Sequence, residues 1–212
     1  MKRHTHVTAV DMDFSRLPWE RMVVEGKPHN HAFVRGAGAR FVRAHVPRSG
    51  PVKIVAGFRG VRVMKTTQSG FEGFLVDEFT TLKPTRDRVM ATEISCEYSF
   101  ADGTDIERTP FATIADAVRA MTLERFAGPP EKGVYSASVQ QTIHQIGTAV
   151  LDAFPAVATV SFALPNIHFY AVDFADYGKG ANLTNDKEVF FTFDGAHGQI
   201  EATIQRKPAA KL

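Results

Sequence analysis

A chain of 212 residues, 44% hydrophobic and 23% charged, has an ordinary globular composition and is long enough for one large domain or two small ones. Its net charge of +2 and its scattered lysines and arginines argue against a nucleic-acid partner. No apolar run is long enough to span a membrane, and the opening MKRHTHVTAV lacks the apolar core of a signal peptide, so we expect no membrane association.

The single cysteine, Cys96, rules out a disulfide within the chain and favours a reducing compartment. It lies in the alternating run ATEISCEYSF, a pattern typical of a small, buried strand residue rather than of a nucleophile. We therefore assign Cys96 a structural role.

Residues 1–50 are predicted to form a pair of strands. The segments HTHVTAVDMDFSRLPWERM and HAFVRGAGARFVRAHVP are strand-like, and the turn-forming residues Glu25–Pro28 separate them. A two-stranded ribbon is only marginally stable in water, so this pair must contact further strands. We interpret residues 1–50 as the closing strand pair of a partial ββααββ repeat, and residues 51–212 as a complete second repeat.

The complete repeat begins with two predicted strands. Pro51–Thr67 is rich in valine and isoleucine and predicts a strand with a kink at Gly57 or Gly60. Asp87–Phe100 alternates and predicts the second strand.

Two helices are predicted next. The first has Thr109 as its N-cap and Pro110 as its first helical residue. One helical stripe is predicted to comprise Ile114, Val118, Met121 and Arg125. The second helix is predicted to begin near Ser136 or Ser138 and to stop before Pro155. Its predicted buried face comprises Val139, Ile143, Ile146, Val150 and Phe154.

Further strands close the repeat. Alternation from Thr159 predicts a strand that continues to about Phe174. Glu188–Arg206 predicts either a strand pair or one long strand interrupted near Gly195–Gly198. The order ββααββ places the chain in the α+β class, as an antiparallel sheet with both helices on one face.

Asn166 and His168 interrupt the apolar character of the stretch LPNIHFYAVD. Residues two apart in a strand point to the same face, so the amide and the imidazole are expected to lie side by side. They form either a satisfied pair near the end of a strand or the polar floor of a small-molecule site.

Several segments together resemble the urate oxidase (uricase) family, whose members have a tandem T-fold. These segments are Lys65–Leu75, Asp77–Arg88, Ser136–Thr142 and Leu164–Tyr170, with Glu25–Phe33 in the first strand pair. The resemblance runs in order along nearly the whole chain. It implies one complete T-fold repeat preceded by the closing β-hairpin of another.

The resemblance implies a site for the urate anion. Arg88 is the expected cation, a planar fork that donates two hydrogen bonds to one edge of the purine. Gln140 is expected to contact the opposite lactam edge, and Val139 to contribute a backbone group. Phe71 is expected to stack on the ring. On local sequence alone, these residues would be a surface arginine, two first-turn helix residues and a core phenylalanine.

The same resemblance makes Asn166 and His168 the expected catalytic pair. Asn166 is expected over the ring, where dioxygen or its reduced product sits, and His168 in a proton relay. The implied reaction oxidises urate with dioxygen to 5-hydroxyisourate and hydrogen peroxide, without a metal or flavin cofactor. The H-x-H pairs at 4–6 and 29–31 could ligate a metal, but no third ligand is in register, and we interpret them as strand and turn residues.

Two alternatives to urate oxidation remain open. One is a T-fold protein that binds a purine or pterin without redox chemistry. The other is an inactive uricase fragment that acts as the structural partner of a complete subunit. The joint presence of the five side chains expected at the site favours urate.

The resemblance also sets expectations for activity, assembly and location. The family's catalytic lysine and threonine belong to the opening part of the first repeat, which no segment here matches, so we expect very low oxidase activity from this chain alone. We expect a homo-oligomer, a dimer or a tetramer, that covers the unpaired sheet edges. The terminal Ala210-Lys211-Leu212 resembles a relaxed peroxisomal signal, and we favour the cytoplasm with the peroxisome as the alternative.

Overall fold

The computed structural model describes residues 3–81, 83–174, 183–193 and 195–206. Nine strands and two helices make up this part of the chain. The strands are β1 (Ala9–Arg16), β2 (Trp19–Val24), β3 (Lys27–Arg35), β4 (Ala39–Pro47), β5 (Lys53–Lys65), β6 (Met90–Phe100), β7 (Val157–Ala171), β8 (Phe190–Phe193) and β9 (Gln199–Gln205). The helices are α1 (Phe111–Ala127) and α2 (Val139–Ala153).

Seven of the strands form one antiparallel sheet. Its order is β1-β4-β5-β6-β7, and both β8 and β9 pair with β7. Helix α2 packs on β7 and β9, and α1 packs on α2 and β5, so one face of the sheet is covered. This arrangement confirms the predicted α+β fold with two helices on one face.

The two strands predicted within residues 1–50 are each broken in two. β1 and β4 join the main sheet through β5, whereas β2 and β3 continue beyond the break as a separate ribbon. The break falls at Pro18, which lacks the N–H that a ladder needs, and at Gly36–Gly38. The turn of the ribbon consists of two residues, Glu25 and Gly26, rather than the predicted Glu25–Pro28. Their φ values of 51° and 74° match a type I′ hairpin turn. That these strands close a partial repeat stays a prediction.

Strands β5 and β6 confirm the next two predicted strands, although β6 begins at Met90. The register between them shifts between Phe58 and Val61, and Gly60 has a φ of 76°, so Gly60 is the predicted kink. Every even-numbered side chain of β6 from Met90 to Phe100 is buried beneath the helices. On the other face of the strand Ala91 is buried and the remaining residues are half-buried.

Cys96 is one of these buried even-numbered residues, as predicted. Burial raises the pKa of its thiol, which keeps it protonated. The face of the sheet away from the helices carries polar side chains. There Arg43 pairs with Glu97, and the hydroxyl oxygens of Ser99 and Thr159 lie 2.6 Å apart.

The start and the buried stripe of α1 differ from the prediction. Pro110 occupies the N-cap position, because the Thr109 hydroxyl donates to the Asp105 carbonyl at 2.5 Å instead of capping the helix. Arg125 is exposed and Met121 is only partly buried. The buried residues are spaced by four throughout and comprise Ile114, Val118, Thr122 and Phe126. Thr122 tolerates burial because its hydroxyl donates to the Val118 carbonyl at 2.8 Å.

The second helix follows the prediction closely. Ser138 is the N-cap of α2, and Phe154 is the C-cap, followed by Pro155. Its buried residues comprise Val139, Thr142, Ile143, Ile146, Gly147, Val150 and Leu151. No helix in the described ranges is long and apolar enough to cross a membrane.

Strand β7 ends at Ala171, three residues before the predicted end at Phe174. β8 pairs with its last residues and β9 with its first half. The predicted region Glu188–Arg206 is therefore one interrupted strand alongside β7 rather than a strand pair.

Gly57 is predicted to be the glycine in β5 that tolerates a side chain least. A Cβ atom there would lie 2.0 Å from the Cys96 carbonyl oxygen and 2.9 Å from the Phe41 ring. We expect Gly57→Ala to lower the free energy of unfolding by about 1–3 kcal/mol, measured from the urea midpoint. Gly198→Ala is the control, because a Cβ there meets nothing within 4 Å. Equal losses in both variants would contradict this close approach of β5 to its neighbours.

Candidate active site

Phe71 and Arg88 lie on two segments that hydrogen-bond to each other beyond the ends of β5 and β6. Phe71 and Thr85 exchange backbone hydrogen bonds of 2.7 and 3.1 Å, and the Arg88 N–H donates to the Ser69 carbonyl at 3.0 Å. The Arg88 Cζ atom lies over the Phe71 ring, 5.6 Å from its centroid. Phe71 also stacks on Phe74, with ring centroids 4.8 Å apart, which leaves at most one face of the ring for a ligand.

The Arg88 guanidinium is half-buried and forms no ion pair within the described residues. Its Nε atom is buried without a hydrogen-bond partner. Desolvation lowers the pKa of Arg88, because burial penalises the charged form, but an arginine keeps its proton in proteins. A cation in this state is available to an anionic ligand.

Two carboxylates that adjoin these segments, Glu72 and Asp87, already have cationic partners. Glu72 accepts a hydrogen bond of 2.7 Å from Arg86 Nε, and this bond is the main reason why the pKa of Glu72 lies below its ordinary value. Asp87 pairs with Lys187. Neither carboxylate therefore neutralises the half-buried arginine.

The first turn of α2 presents Val139 and Gln140. The Ser138 hydroxyl accepts from the Gln141 N–H at 3.1 Å, and the Gln141 side-chain oxygen accepts from the Ala137 N–H at 3.2 Å. Val139 is buried, whereas Gln140 is exposed and its side chain makes no hydrogen bond to the described residues. Of two adjacent glutamines, one caps the helix and the other is free to contact a ligand.

Ser136 connects the loop Gln68–Phe71 to the start of α2. The Gly70 N–H donates to the Ser136 carbonyl at 2.9 Å, and the Ser136 N–H donates to the first carbonyl of the loop at 3.0 Å. A Cβ atom at Gly70 would lie 2.8 Å from the Thr85 carbonyl oxygen, so this close approach of backbone needs a glycine. Backbone hydrogen bonds thus hold two of the predicted segments together.

Asn166 and His168 project from β7 to the face that the helices cover, as the alternation predicted. Asn166 stands opposite Thr92 in the β6–β7 register, and both Asn166 and His168 are half-buried. The His168 ring stacks on Tyr170, with centroids 5.7 Å apart. Neither side chain hydrogen-bonds to the described residues, so the interpretation as a mutually satisfied pair is not supported.

The predicted residues form two groups. Phe71 and Arg88 are in direct contact and connect to the start of α2 through Ser136, whereas Asn166 and His168 approach from the sheet. Within the described ranges, no hydrogen bond or ring contact joins the two groups. A cleft of about 740 Å³ opens at this end of the sheet. Among the described residues that line it, Arg88 is the only one predicted for the site.

Unpaired polar atoms concentrate at this end of the sheet. Among the described residues, four buried side-chain polar atoms lack a hydrogen-bond partner, and three of them belong to Ser69, Arg88 and Thr92. Ser69 and Thr92 are 0% and 1% exposed. Buried polar groups are normally satisfied, so this cluster indicates a place for a polar ligand or for water.

Sequence reasoning missed the buried residues beneath the site. The ammonium of Lys65 donates to the Ser136 hydroxyl at 2.7 Å, and the Thr142 hydroxyl donates to the same oxygen at 2.9 Å. One signal was present: in the run VRVMK, Lys65 occupies a position where Val61 and Val63 predict another apolar residue.

The histidine pairs at 4–6 and 29–31 do not belong to this site. His29 Nδ1 accepts from the backbone N–H groups of His31 and Ala32 at 3.1 and 3.0 Å, which is a local turn contact. No group of three or more possible metal ligands occurs in the described part of the chain.

Comparisons with known proteins agree with one another. The family model described as Uricase matches residues 54–201. The chain is 38% identical over 208 residues to "Uricase" of Oryctolagus cuniculus, covering 98% of this chain and 67% of that protein. It is 36% identical over 204 residues to "Uricase-2" of Phaseolus vulgaris, covering 94% of this chain and 66% of that protein.

The fold gives the same result. The crystal structure of uricase from Arthrobacter globiformis superposes with a TM-score of 0.83 at 32% identity, covering 98% of this chain and 67% of that one. The chain thus spans about two thirds of the length of the relatives that it matches. Because the family model covers most of the chain and the relatives align almost throughout it, the chain belongs to the uricase family.

Proposed function

We propose that the residues around Arg88 bind urate and promote its oxidation by dioxygen, the reaction of the uricase family. Urate, dioxygen and water give 5-hydroxyisourate and hydrogen peroxide, so two electrons pass from the purine to dioxygen. The half-buried, unpaired guanidinium over the Phe71 ring carries this proposal. A desolvated cation without a partner is stabilised when an anion binds beside it.

Arg88 is the proposed anchor for the urate anion. Its planar guanidinium can donate two parallel hydrogen bonds to one edge of the purine, and it supplies the balancing charge. The unpaired Nε atom is a donor that the described residues leave unused. A lysine would supply the charge without this geometry.

The start of α2 is the proposed contact for the opposite edge of the purine. The exposed amide of Gln140 offers two donors and one acceptor, which can pair with alternating carbonyl and N–H groups. The backbone N–H of Val139 lies in the first turn, where a helix favours negative charge. Both contacts therefore favour an anionic lactam.

Phe71 is the proposed stacking platform. Phe74 stacks on one face of its ring and the Arg88 Cζ atom also lies over the ring, so the purine would compete with these contacts for the ring. Stacking of a base on an aromatic side chain contributes about 1–3 kcal/mol and orients the plane of the ring.

Asn166 and His168 are the proposed catalytic pair. The Asn166 amide would donate a hydrogen bond to dioxygen or to the peroxide formed from it. His168 would move protons, because an imidazole can donate and accept a proton near neutral pH. The scheme uses no metal or flavin, since the urate dianion is itself the electron donor.

We also propose a homo-oligomer, either a dimer or a tetramer. Support comes from β1, a sheet edge with no partner strand among the described residues, and from the β2–β3 ribbon, on which Trp19 is 58% and Val23 65% exposed. For location we propose the cytoplasm, with the peroxisome as the alternative. The terminal tripeptide 210–212 on which that alternative depends lies outside the described residues.

Replacing Arg88 tests the purine anchor. We expect Arg88→Ala to weaken binding of urate, or of the unreactive analogue 8-azaxanthine, by about 3 kcal/mol, because the charge and the paired hydrogen bonds are both lost. Arg88→Lys should recover only part of this loss. Calorimetric titration measures both variants, and Arg62→Ala, an exposed arginine paired with Glu93 on β6, is the control. A lysine variant that binds as tightly as the parent would exclude bidentate recognition.

Replacing His168 separates chemistry from binding. We expect His168→Ala to reduce kcat for urate far more than it reduces the affinity for 8-azaxanthine, because proton transfer matters chiefly in the transition state. Oxygen consumption, compared with the low rate expected of the parent chain, and analogue titration are measured on the same preparations. Equal losses in both quantities would make His168 a binding or packing residue.

The adjacent glutamines provide a matched pair. We expect Gln140→Ala to weaken analogue binding without changing the free energy of unfolding, because its side chain is exposed and makes no bond to the described residues. Gln141→Ala should lower the free energy of unfolding by about 1 kcal/mol, since it removes a capping hydrogen bond. Urea unfolding and analogue titration are compared, and a reversed pattern would show that the two roles are exchanged.

A further inference from the structure

Lys65 is a buried cation that the proposed chemistry does not use. Only 9% of the residue is exposed. Its ammonium donates to the Val134 carbonyl at 2.9 Å and to the Ser136 hydroxyl at 2.7 Å, and it lies 5.2 Å from the centroid of the Phe126 ring. Desolvation lowers the pKa of this lysine.

Lys65 has no acidic partner within the described residues, and both of its hydrogen bonds go to neutral acceptors. A buried charge with only neutral partners destabilises a fold relative to an apolar side chain of similar size. A contribution to overall stability is therefore a poor explanation for a lysine at this position. Its effect must lie in the segment that it holds.

That segment, Val134–Ser138, contacts both the loop Gln68–Phe71 and the first turn of α2, which together form the proposed purine-binding wall. Through its backbone, Ser136 pairs with the loop Gln68–Phe71. Through its hydroxyl, Ser136 accepts from the Thr142 hydroxyl, and the Thr142 backbone N–H donates to the Ser138 carbonyl at the start of α2. Lys65 connects this segment to the sheet, because it is the last residue of β5 and its ammonium donates to Val134 and Ser136.

We propose that Lys65 is a positioning residue that holds the Phe71 loop and the first turn of α2 at the separation that the purine requires. The inference rests on the urate site proposed above. Lys65 acts through Ser136 and does not touch the substrate. Its removal should alter the geometry of the wall while leaving the apolar core intact.

The test compares Lys65→Met with the parent. We expect the affinity for 8-azaxanthine to fall about tenfold, the effect of losing one hydrogen bond to a charged group, while the melting temperature is unchanged or higher. Urate turnover should show a raised KM and a smaller change in kcat. Lys53→Met, the same substitution at the exposed first residue of β5, should change neither quantity. Unchanged affinity in Lys65→Met would overturn the proposal, as would a fall in affinity matched by a large fall in melting temperature.

Amide hydrogen exchange in the ligand-free protein provides an independent arm. The amides of Gly70 and Ser136 form the hydrogen bonds between the loop Gln68–Phe71 and the segment Val134–Ser138. In Lys65→Met they should exchange at least tenfold faster, whereas the exchange of helical amides of α1 should not change. Unchanged exchange of the Gly70 and Ser136 amides would overturn the positioning role of Lys65, whatever the binding result. A further outcome is that the parent fails to bind 8-azaxanthine while exchange at Gly70 and Ser136 is still faster in Lys65→Met. In that case the urate proposal fails, and the positioning of the two segments by Lys65 stands.

Discussion

The antiparallel register between β6 and β7 is the constraint on which the site depends. Thr92 stands opposite Asn166 and Cys96 opposite Phe162, so the same alternate residues face the helices along both strands. A slip of one residue would turn every side chain of β7 to the other face of the sheet. The apolar packing against α2 therefore also fixes the direction of Asn166 and His168. The core and the site are set by one register.

Along this shared face the environment changes from apolar to polar. Ile94 and Leu164 are 0% and 2% exposed and belong to the core. The next residues toward the site are Thr92, whose hydroxyl is unpaired within the described structure, and Asn166, which is only half-buried. Unsatisfied polar groups lower stability until a ligand or water pairs with them. Unsatisfied polar groups that collect at one end of the sheet are expected where a binding site is kept at a cost in stability.

Local sequence patterns predicted the elements whose signals are local. Ser138 was identified as a possible helix start because capping needs only neighbouring residues, and Gly60 was one of two possible kinks. The stripe predicted for α1 is wrong at Arg125, which is exposed, because spacing alone cannot fix which side of α1 meets the core. The site residues came from the family resemblance. The hydrogen bond from Lys65 to Ser136 joins positions far apart in sequence, so no local pattern could predict it.

The distribution of charge around the site favours an anion over a neutral ring of the same shape. Glu72 is held by Arg86 and Asp87 by Lys187, so these two carboxylates next to the proposed purine-binding wall already have partners. Arg88 is left half-buried and unpaired within the described residues, and the N-terminus of α2 adds a partial positive charge on the other side. A neutral purine or pterin would leave the guanidinium charge uncompensated, whereas urate compensates it. In the proposed site, selectivity for urate would therefore follow from which charges the fold leaves free, and stacking on Phe71 would add affinity without discriminating between these rings.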